Sequence, residues 1–443
     1  MGQWDLSAAD PVFKIVFAPR VDKQFNTAPV LWNDVFEGYG TMISNRGLEI
    51  PVHMAPNGAH VWYADGGALP GGDSEKVSRA LVGFYSYAKT IQFTGAALDA
   101  GGGGDATNYV KSLAFNVRNA VVEAIKELNF YSFLDGTGIL GKMNNTTTPS
   151  TTANTTLDVT GTGDGARYLR PGQFINVYTG TTTPVKFSAQ IVSVNNTLGA
   201  AGTIANTAAG GNVTITIGPA SSATAVAVGD AIVSAAGATA GSADSFNKTM
   251  AGLKVIIDNG TFATNFQNIN RVNNPQYNAN VIPLTGTPAL SRDHLRRGIW
   301  LIQQARGAVN LSKLRIWSHG AQLHAFADMG WTMKQFNGTA MKMDLGYTAY
   351  EFEGIPWVID TDAPRDTIYF VNKDSMLKVT ARKLSFDDRT GSILNRVVNS
   401  SGQYLDAFQA FLEFRGNLGC HFPNANTAVT GLSVPASGVV GGY

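Results

Sequence analysis

A chain of 443 residues, 44% of them hydrophobic and only 15% charged, has material for two or three packed units and is too apolar to remain disordered. Thirty-three basic residues against thirty-two acidic ones leave a net charge of +1, so no global field draws the chain to nucleic acid or to an anionic membrane. A single cysteine, Cys420, excludes intramolecular disulfides and cysteine-cluster metal sites and fits folding in a reducing compartment.

The start, Met1 to Pro11, lacks the basic and apolar regions of a signal peptide, and Ser7 lies one place beyond the myristoylation spacing from Gly2. No stretch predicts a membrane span: Asp230 and several glycines interrupt the Ala-rich segment near 223–240. Residues 1–48 show scattered aromatics without periodicity, as expected of an extended arm that packs onto something else. Over 49–96 the pattern reads strand, turn-rich tip, strand. Leu48 to Met54 leads into a tip from Trp62 to Asp73, and alternation resumes from Val77 to Phe93. Arms of roughly fifteen residues would reach on the order of 50 Å.

Gly101–Gly104 breaks the chain before the strongest helical signal. Val110, Leu113, Ala114, Val117, Ala120, Val121, Ala124, Ile125 and Leu128 recur at helical spacing, with Lys111, Arg118, Glu123 and Lys126 largely off that stripe. Asp105 or Thr107 as cap and Asp135-Gly136 as stop predict a helix over about 107–133, roughly 40 Å long. Residues 153–243 change character: rich in Thr, Gly, Ala, Asn and Val, nearly free of charge, with strand-like runs at 174–178, 185–194 and 213–217. They predict an inserted all-β unit, barrel or sandwich. After a return segment, 244–290, residues 291–370 predict mixed α and β structure. A helix follows a Ser291 cap, strands cover 314–317, 355–359 and 367–371, and a second helix spans 319–327. Ala407 to Phe414 predicts a final strand, and the small, polar tail beyond Pro423 predicts a loose end.

The chemistry-bearing patterns are sparse. No HExxH, Walker-type GxxxxGK, strand-following GxGxxG or GxSxG motif occurs. His319 and His324 stand five apart, off a common helical face. Asp158 and Asp164 around Gly161–Gly165 lack the ligand count of a calcium loop, and a turn is the simpler reading. Cys420 beside His421 has no third orienting group and reads as a strand-end residue. Arg292, Arg296 and Arg297 read as solvated charge on a helix start, with nucleic-acid contact the minor reading. The expected catalytic, cofactor and metal residues are none.

The order of elements carries more information than any motif. An arm, a long hairpin tipped by Trp62-Tyr-Ala-Asp-Gly-Gly-Ala-Leu-Pro70, a glycine break, a long amphipathic helix, a β insert, a mixed α/β region and a returning Leu412-Glu-Phe-Arg-Gly-Asn-Leu-Gly-Cys-His-Phe422 together resemble the tailed-phage major capsid protein of the Hong Kong 97 type. The resemblance implies an α+β fold with an N-terminal arm (1–48), an E-loop hairpin (49–96), a spine helix opening the peripheral domain (97–152), a small all-β insertion domain (153–243), a return to the peripheral domain (244–290), an axial domain (291–370) and peripheral strands with a tail (371–443). It implies a structural, non-enzymatic subunit of an icosahedral virion shell. Hexamers and pentamers would assemble in the host bacterial cytoplasm with a separate scaffolding protein and a portal, with or without a decoration or cement protein, around non-specifically contacted double-stranded DNA. Trp62, Tyr63, Leu69 and Pro70 would touch a neighbouring subunit, and some relatives cross-link a hairpin lysine, for which Lys76 or Lys89 stands available. A secreted carbohydrate-binding or adhesin module, an enzyme with a β accessory domain, and an encapsulin-like cellular shell are the alternatives. The first two leave the long helix unexplained or lack an acid–base pair; the insert and the length favour a virus over the third.

Overall fold

The computed structural model describes residues 30–35, 47–63, 65, 67–96, 112–160, 169–180, 184–195, 212–239, 242–306, 313–332, 341–342, 348–389, 391–398 and 401–434. Most of the expected arm, the Gly101–Gly104 break, the proposed caps Asp105 and Thr107, and Val110 lie outside them.

In chain order, a short helix α1 (Val30–Asp34) precedes the antiparallel pair β1 (Leu48–Ala55) and β2 (Lys76–Val82). Leu48, Ile50, Val52 and Met54 turn inward while Glu49, Pro51 and His53 face water, and β2 answers with Ala80 and Val82 opposite Ile50 and Leu48. The chain then bends at Gly83-Phe84 into β3 (Tyr85–Thr94), which joins a different sheet. The hairpin arms are therefore eight and seven residues, about 25 Å each, and not the expected fifteen. A bend is imposed because Asn417 donates to the Gly83 carbonyl at 2.9 Å and Leu81 N donates to the Gln267 carbonyl at 2.8 Å.

Helix α2 (Ser112–Tyr131) has twenty residues, about 30 Å. Its innermost line is Ala120, Ala124 and Leu128. Val117, Val121 and Ile125 form a half-buried flank, and the Leu113 side chain lies outside the described set. The two lines are neighbours on the helix surface, and alanine lets the helix backbone approach its neighbours closely where valine would not. Asn129, fully buried in the last turn, accepts from Trp32 N at 2.8 Å and donates to Asp360 at 3.1 and 3.3 Å and to Asp362 at 2.7 Å. Leu31 N adds a bond to Asp360 at 3.1 Å. Trp32 packs edge-on to Phe414, with the Lys378 ammonium over its ring, and Lys373 pairs with Asp34.

Beyond α2 the chain builds a closed barrel, in the order β4 (Ile139–Met143), β5 (Thr155–Thr160), β8, β7, β6 and β9, where β6 is Phe174–Tyr178, β7 Val185–Asn195, β8 Asn212–Ile217 and β9 Ala231–Ser234. Period-two alternation supplies its core: Leu157 and Val159, Ile175 and Val177, Phe187, Ala189 and Ile191, Ile215 and Ile217. Phe130 and Leu134 from the end of α2 complete it. The barrel thus starts at 139, and the boundary expected at 153 leaves out the strand that closes it against β9. Its seat on the body is tight. Asp244 accepts from Asn176 at 2.9 Å and from the Tyr178 hydroxyl, Phe246 stacks on Tyr178 at 4.4 Å, and a Cβ on Gly138 (φ +76°) would lie 2.2 Å from the Ser245 carbonyl oxygen.

The return segment holds α3 (Leu253–Ile256), the small hairpin β10 (Asn265–Phe266) and β11 (Ile269–Asn270), and β12 (Asn280–Pro283). Then come α4 (Arg292–Arg306), with His294 N donating to Ser291 Oγ at 3.4 Å, β13 (Leu314–Ser318), α5 (Gly320–Thr332), β14 (Met341–Lys342), β15 (Thr348–Phe352), β16 (Ile355–Ile359) and β17 (Ile368–Asn372). After these, β18 (Met376–Phe386), β19 (Asn395–Val398), β20 (Tyr404–Cys420) and β21 (Thr427–Thr430) end the fold. Seven strands form one mixed sheet in the order β12-β21-β17-β13-β16-β15-β14, covered by α4 through Leu295, Ile299 and Ile302. Residues 424–434 are no loose tail. Strand β21 lies between β12 and β17, with Thr427, Ala428 and Val429 buried, because both its edges find a partner. β20, seventeen residues long where eight were expected, pairs with β3 along one edge and with β18 and β19 along the other.

Leu128→Ala is expected to cost about 2–5 kcal/mol in chemical denaturation, and Val121→Ala, half-buried, clearly less. A fragment of residues 153–243 is expected to be unfolded by circular dichroism, whereas 137–246, which restores β4, gives a β spectrum.

Candidate assembly interface

The most exposed large apolar side chain among the described residues, Trp62, sits on the loop between β1 and β2 together with three further exposed apolar groups. Trp62 is 99% exposed, Leu69 71%, Tyr63 62% and Val61 51%, with Pro70 exposed beside them. Monomeric surfaces rarely display aromatic and aliphatic groups gathered in this way without using them in association. The four residues singled out from sequence thus lie on one loop.

The base of that loop is fixed by Asp73. Its carboxylate accepts from Gly58 N at 3.1 Å and Ser74 N at 2.8 Å, while its backbone carbonyl accepts from Asn57 Nδ2 at 2.8 Å. The Ser74 and Gly58 amides hold the Asp73 carboxyl below the usual carboxylate range. Asn57 in turn takes the Ala59 amide at 2.7 Å. A loop whose neck is tied by short-range bonds presents its tip in a defined direction, which lowers the entropy lost on contact.

Of the two lysines considered for cross-linking, Lys89 on β3 is committed to Glu123 at 2.9 Å and Glu127 at 3.0 Å, both on α2. Lys76 opens β2 and is exposed. A second exposed apolar group escaped the sequence reading: Ile393, Val398, Tyr404 and Leu405 around the β19–β20 hairpin. Beside it, Arg382 meets Glu413 at 2.7 Å and Arg389 meets Asp387 at 2.7 Å, bracing the β18–β19 connection. Its signal in the sequence was the local Tyr-Leu pair, but which strand face meets the core is decided by pairing with β3.

The residues weighed for chemistry are dispersed. Cys420 is fully buried, its thiol pushed up to about 12 by burial, and Asn426 Nδ2 approaches its sulfur at 3.6 Å. Burial lowers the His421 pKa. His319 Nδ1 accepts from Ala321 N at 3.1 Å at the start of α5, and His324 is exposed on the same helix. Asp158 Oδ1 accepts from Thr214 Oγ1 at 3.1 Å, while Gly161–Gly165 lies outside the described residues. Arg296 Nε donates to Glu353 at 2.8 Å, and Arg292 and Arg297 are exposed. Among the described residues no three His, Cys, Asp or Glu side chains gather as a metal group, and no helix is long and apolar enough to cross a membrane.

No family model and no curated protein sequence matches the chain. Its fold does match. A chain of the cyanophage A-1(L) capsid asymmetric unit aligns over 97% of this chain and 98% of its own, with 11% identity and a TM-score of 0.56. A chain from the capsid of a native GTA particle aligns over 98% and 100% with 8% identity and a TM-score of 0.48. The encapsulin of Synechococcus elongatus PCC 7942 aligns over 98% and 97% with 8% identity and a TM-score of 0.45. The chain has an α+β fold of the kind found in that cyanophage capsid chain, shared over 97% of its length.

Trp62→Ala is expected to change the unfolding free energy of the isolated subunit by less than about 0.5 kcal/mol, as befits a fully exposed side chain. Leu128→Ala in the same denaturation series supplies the buried contrast.

Proposed function

We propose that this chain is the major capsid protein of a tailed double-stranded DNA bacteriophage, a structural subunit that closes into an icosahedral shell. The observation that carries the reading is the full-length fold match, at a TM-score of 0.56, to a phage capsid chain. The exposed, tethered loop agrees with it, because a subunit gains nothing alone from presenting Trp62 and Leu69 to water. On this reading residues 49–96 are the E-loop, α2 is the spine helix, the barrel is an insertion domain, and the seven-stranded sheet is the axial domain. Trp62, Tyr63, Leu69 and Pro70 contact an adjacent subunit without a covalent bond.

The same reading supplies the partners: like copies in hexamers and pentamers, a separate scaffolding protein, a portal, and packaged DNA met through its backbone. Virions are the final location. A net charge of +1 lets many like copies pack without accumulating repulsion. Individually modest contacts then sum around a closed shell. The carbohydrate-binding alternative meets a chemical obstacle, since among the described residues the barrel exposes no aromatic ring on which a sugar could lie: Tyr178 and Phe187 are buried and Phe174 is half-buried.

Co-expression with the scaffolding protein is expected to yield closed shells by electron microscopy. Monodisperse monomers under varied salt and protein concentration would overturn the reading. Deleting Gly66 to Gly72 is expected to leave the circular dichroism spectrum of the subunit unchanged and to abolish stable shells. Normal particles from the deletion would remove the loop from assembly.

A further inference from the structure

Asn57-Gly58 is a dipeptide whose side-chain amide lies open to attack by the next backbone nitrogen, because glycine puts no Cβ beside that nitrogen. Here it forms the neck of the loop between β1 and β2, where Asn57, Gly58 and Asp73 all face water. The ties that fix the neck carry chemistry as well as direction. Gly58 N donates to Asp73 Oδ2 at 3.1 Å, so a carboxylate oxygen sits on the hydrogen that this nitrogen must lose to become a nucleophile. Ala59 N donates to Asn57 Oδ1 at 2.7 Å, the oxygen that gains charge when the side-chain carbonyl is attacked. His60 N donates to the Gly58 carbonyl at 3.0 Å and so holds the peptide unit that presents the Ala59 amide. Asn57 Nδ2 donates to the Asp73 carbonyl at 2.8 Å, which fixes the rotation of the side-chain amide. An amide N–H lies in its peptide plane while the attacking electron pair stands across it, so the bond to Asp73 leaves the attacking face free.

Asn259-Gly260 is the same dipeptide in a different setting. Thr261 N donates to Asn259 Oδ1 at 3.1 Å and Gly260 N to Asp258 Oδ2 at 3.0 Å, so the immediate bonding is alike. The acid is not. Asp258 is 5% exposed, and its Oδ2 also takes Ala263 N at 2.9 Å and Arg271 Nη1 at 3.4 Å, which occupies the lone pairs that would receive a proton. The turn is also packed: Asn278 Nδ2 holds the Asn259 carbonyl at 3.0 Å, and a Cβ on Gly260 would lie 3.3 Å from Arg271 Cβ.

We infer that Asn57 is a self-modifying site, at which Asp73 draws the Gly58 amide proton and the loop neck converts to an isoaspartyl or aspartyl linkage. Gly58 N forms a bond to Asn57 Cγ as its proton passes to the Asp73 carboxylate, and the tetrahedral oxygen rests on Ala59 N. The Cγ–Nδ2 bond then breaks. Nδ2 takes the proton back from Asp73 and leaves as ammonia, and a cyclic succinimide remains. Water opens either of its carbonyls, which yields aspartate or isoaspartate without any other reactant. The product carries a carboxylate in place of the amide, so the Nδ2 bond to the Asp73 carbonyl is lost and like charges face each other across the neck. The isoaspartyl form also lengthens the backbone by a methylene. The loop that presents Trp62 is thereby released from its fixed direction, whether or not the chain builds a shell.

Peptide mapping by mass spectrometry of the full chain, incubated at neutral pH, reads the conversion. Asn57 is expected to convert about tenfold faster than Asn259, less than an enclosed general base contributes because Asp73 is open to water. Asp73→Asn keeps an oxygen of the same shape but takes no proton; it is expected to slow Asn57 about tenfold and to leave Asn259 unchanged. In the urea-unfolded chain the two asparagines are expected to convert at similar rates. Equal rates in the folded chain, or an undiminished rate in the variant, would overturn the assignment. So would a lead of Asn57 that survives unfolding, because the neighbouring sequence and not the neck would then set it.

Discussion

One buried side-chain amide joins segments that are 97 and 231 residues apart in the chain: Asn129 takes an amide hydrogen from α1 and gives its own to the acids beyond β16. Everything the molecule does as a single body depends on such a junction. Helix α2 lies between the long-strand sheet, reached through β3 and β20, and the seven-stranded sheet, reached through Asp360. Apolar contact around it is non-directional and would tolerate sliding. A fully desolvated amide with both its oxygen and its nitrogen bonded has one acceptable position.

Around that point the structure divides its cores. The largest gathers α1, β1, β2 and the body around Trp317, Tyr369 and Leu418, the barrel keeps a core of its own, and a third lies between the seven-stranded sheet and α4. Phe130 and Leu134 enter the barrel core while Leu128 and Phe133 enter the main one, so a single turn at the end of α2 is shared between two packed units. This geometry orients the barrel rigidly relative to the helix. The Asp244 bonds to Asn176 and Tyr178 add a second point of attachment, and two points remove rotation that one would permit.

The parts legible in the sequence were those with strong local periodicity. The helical stripe of α2, the alternation in β6, β7 and β8, and the cluster of apolar residues at the loop tip all lie within windows a local pattern covers. What escaped depends on distant partners. Ile139–Met143 reads as part of the run after the helix, and only its pairing with β9 makes it a barrel strand. Thr427–Thr430 has weak strand character and is buried by neighbours 50 and 140 residues away or more. Gly416 and Gly419 lie beyond the expected end of the last strand, and each occupies a close approach: a Cβ would come within 2.7 Å of the Val379 carbonyl oxygen at the first and 2.8 Å of Val82 at the second. They permit β20 to continue where sequence alone ends it. In α2 the stripe read from the sequence contains Ala120 and Ala124, and the structure makes these and Leu128 its most buried members.

The chain enters the barrel on β4 and leaves it on β9, and these two strands are hydrogen-bonded neighbours, with Ile139 opposite Val233. Entry and exit therefore stand about 5 Å apart, roughly the gap one or two residues bridge. An element attached in this way interrupts the body without stretching it. Its size and surface are free to change while the strands and helix beneath keep their spacing, so a lineage could trade one barrel for another, or for a short turn, without redrawing the framework on which it stands.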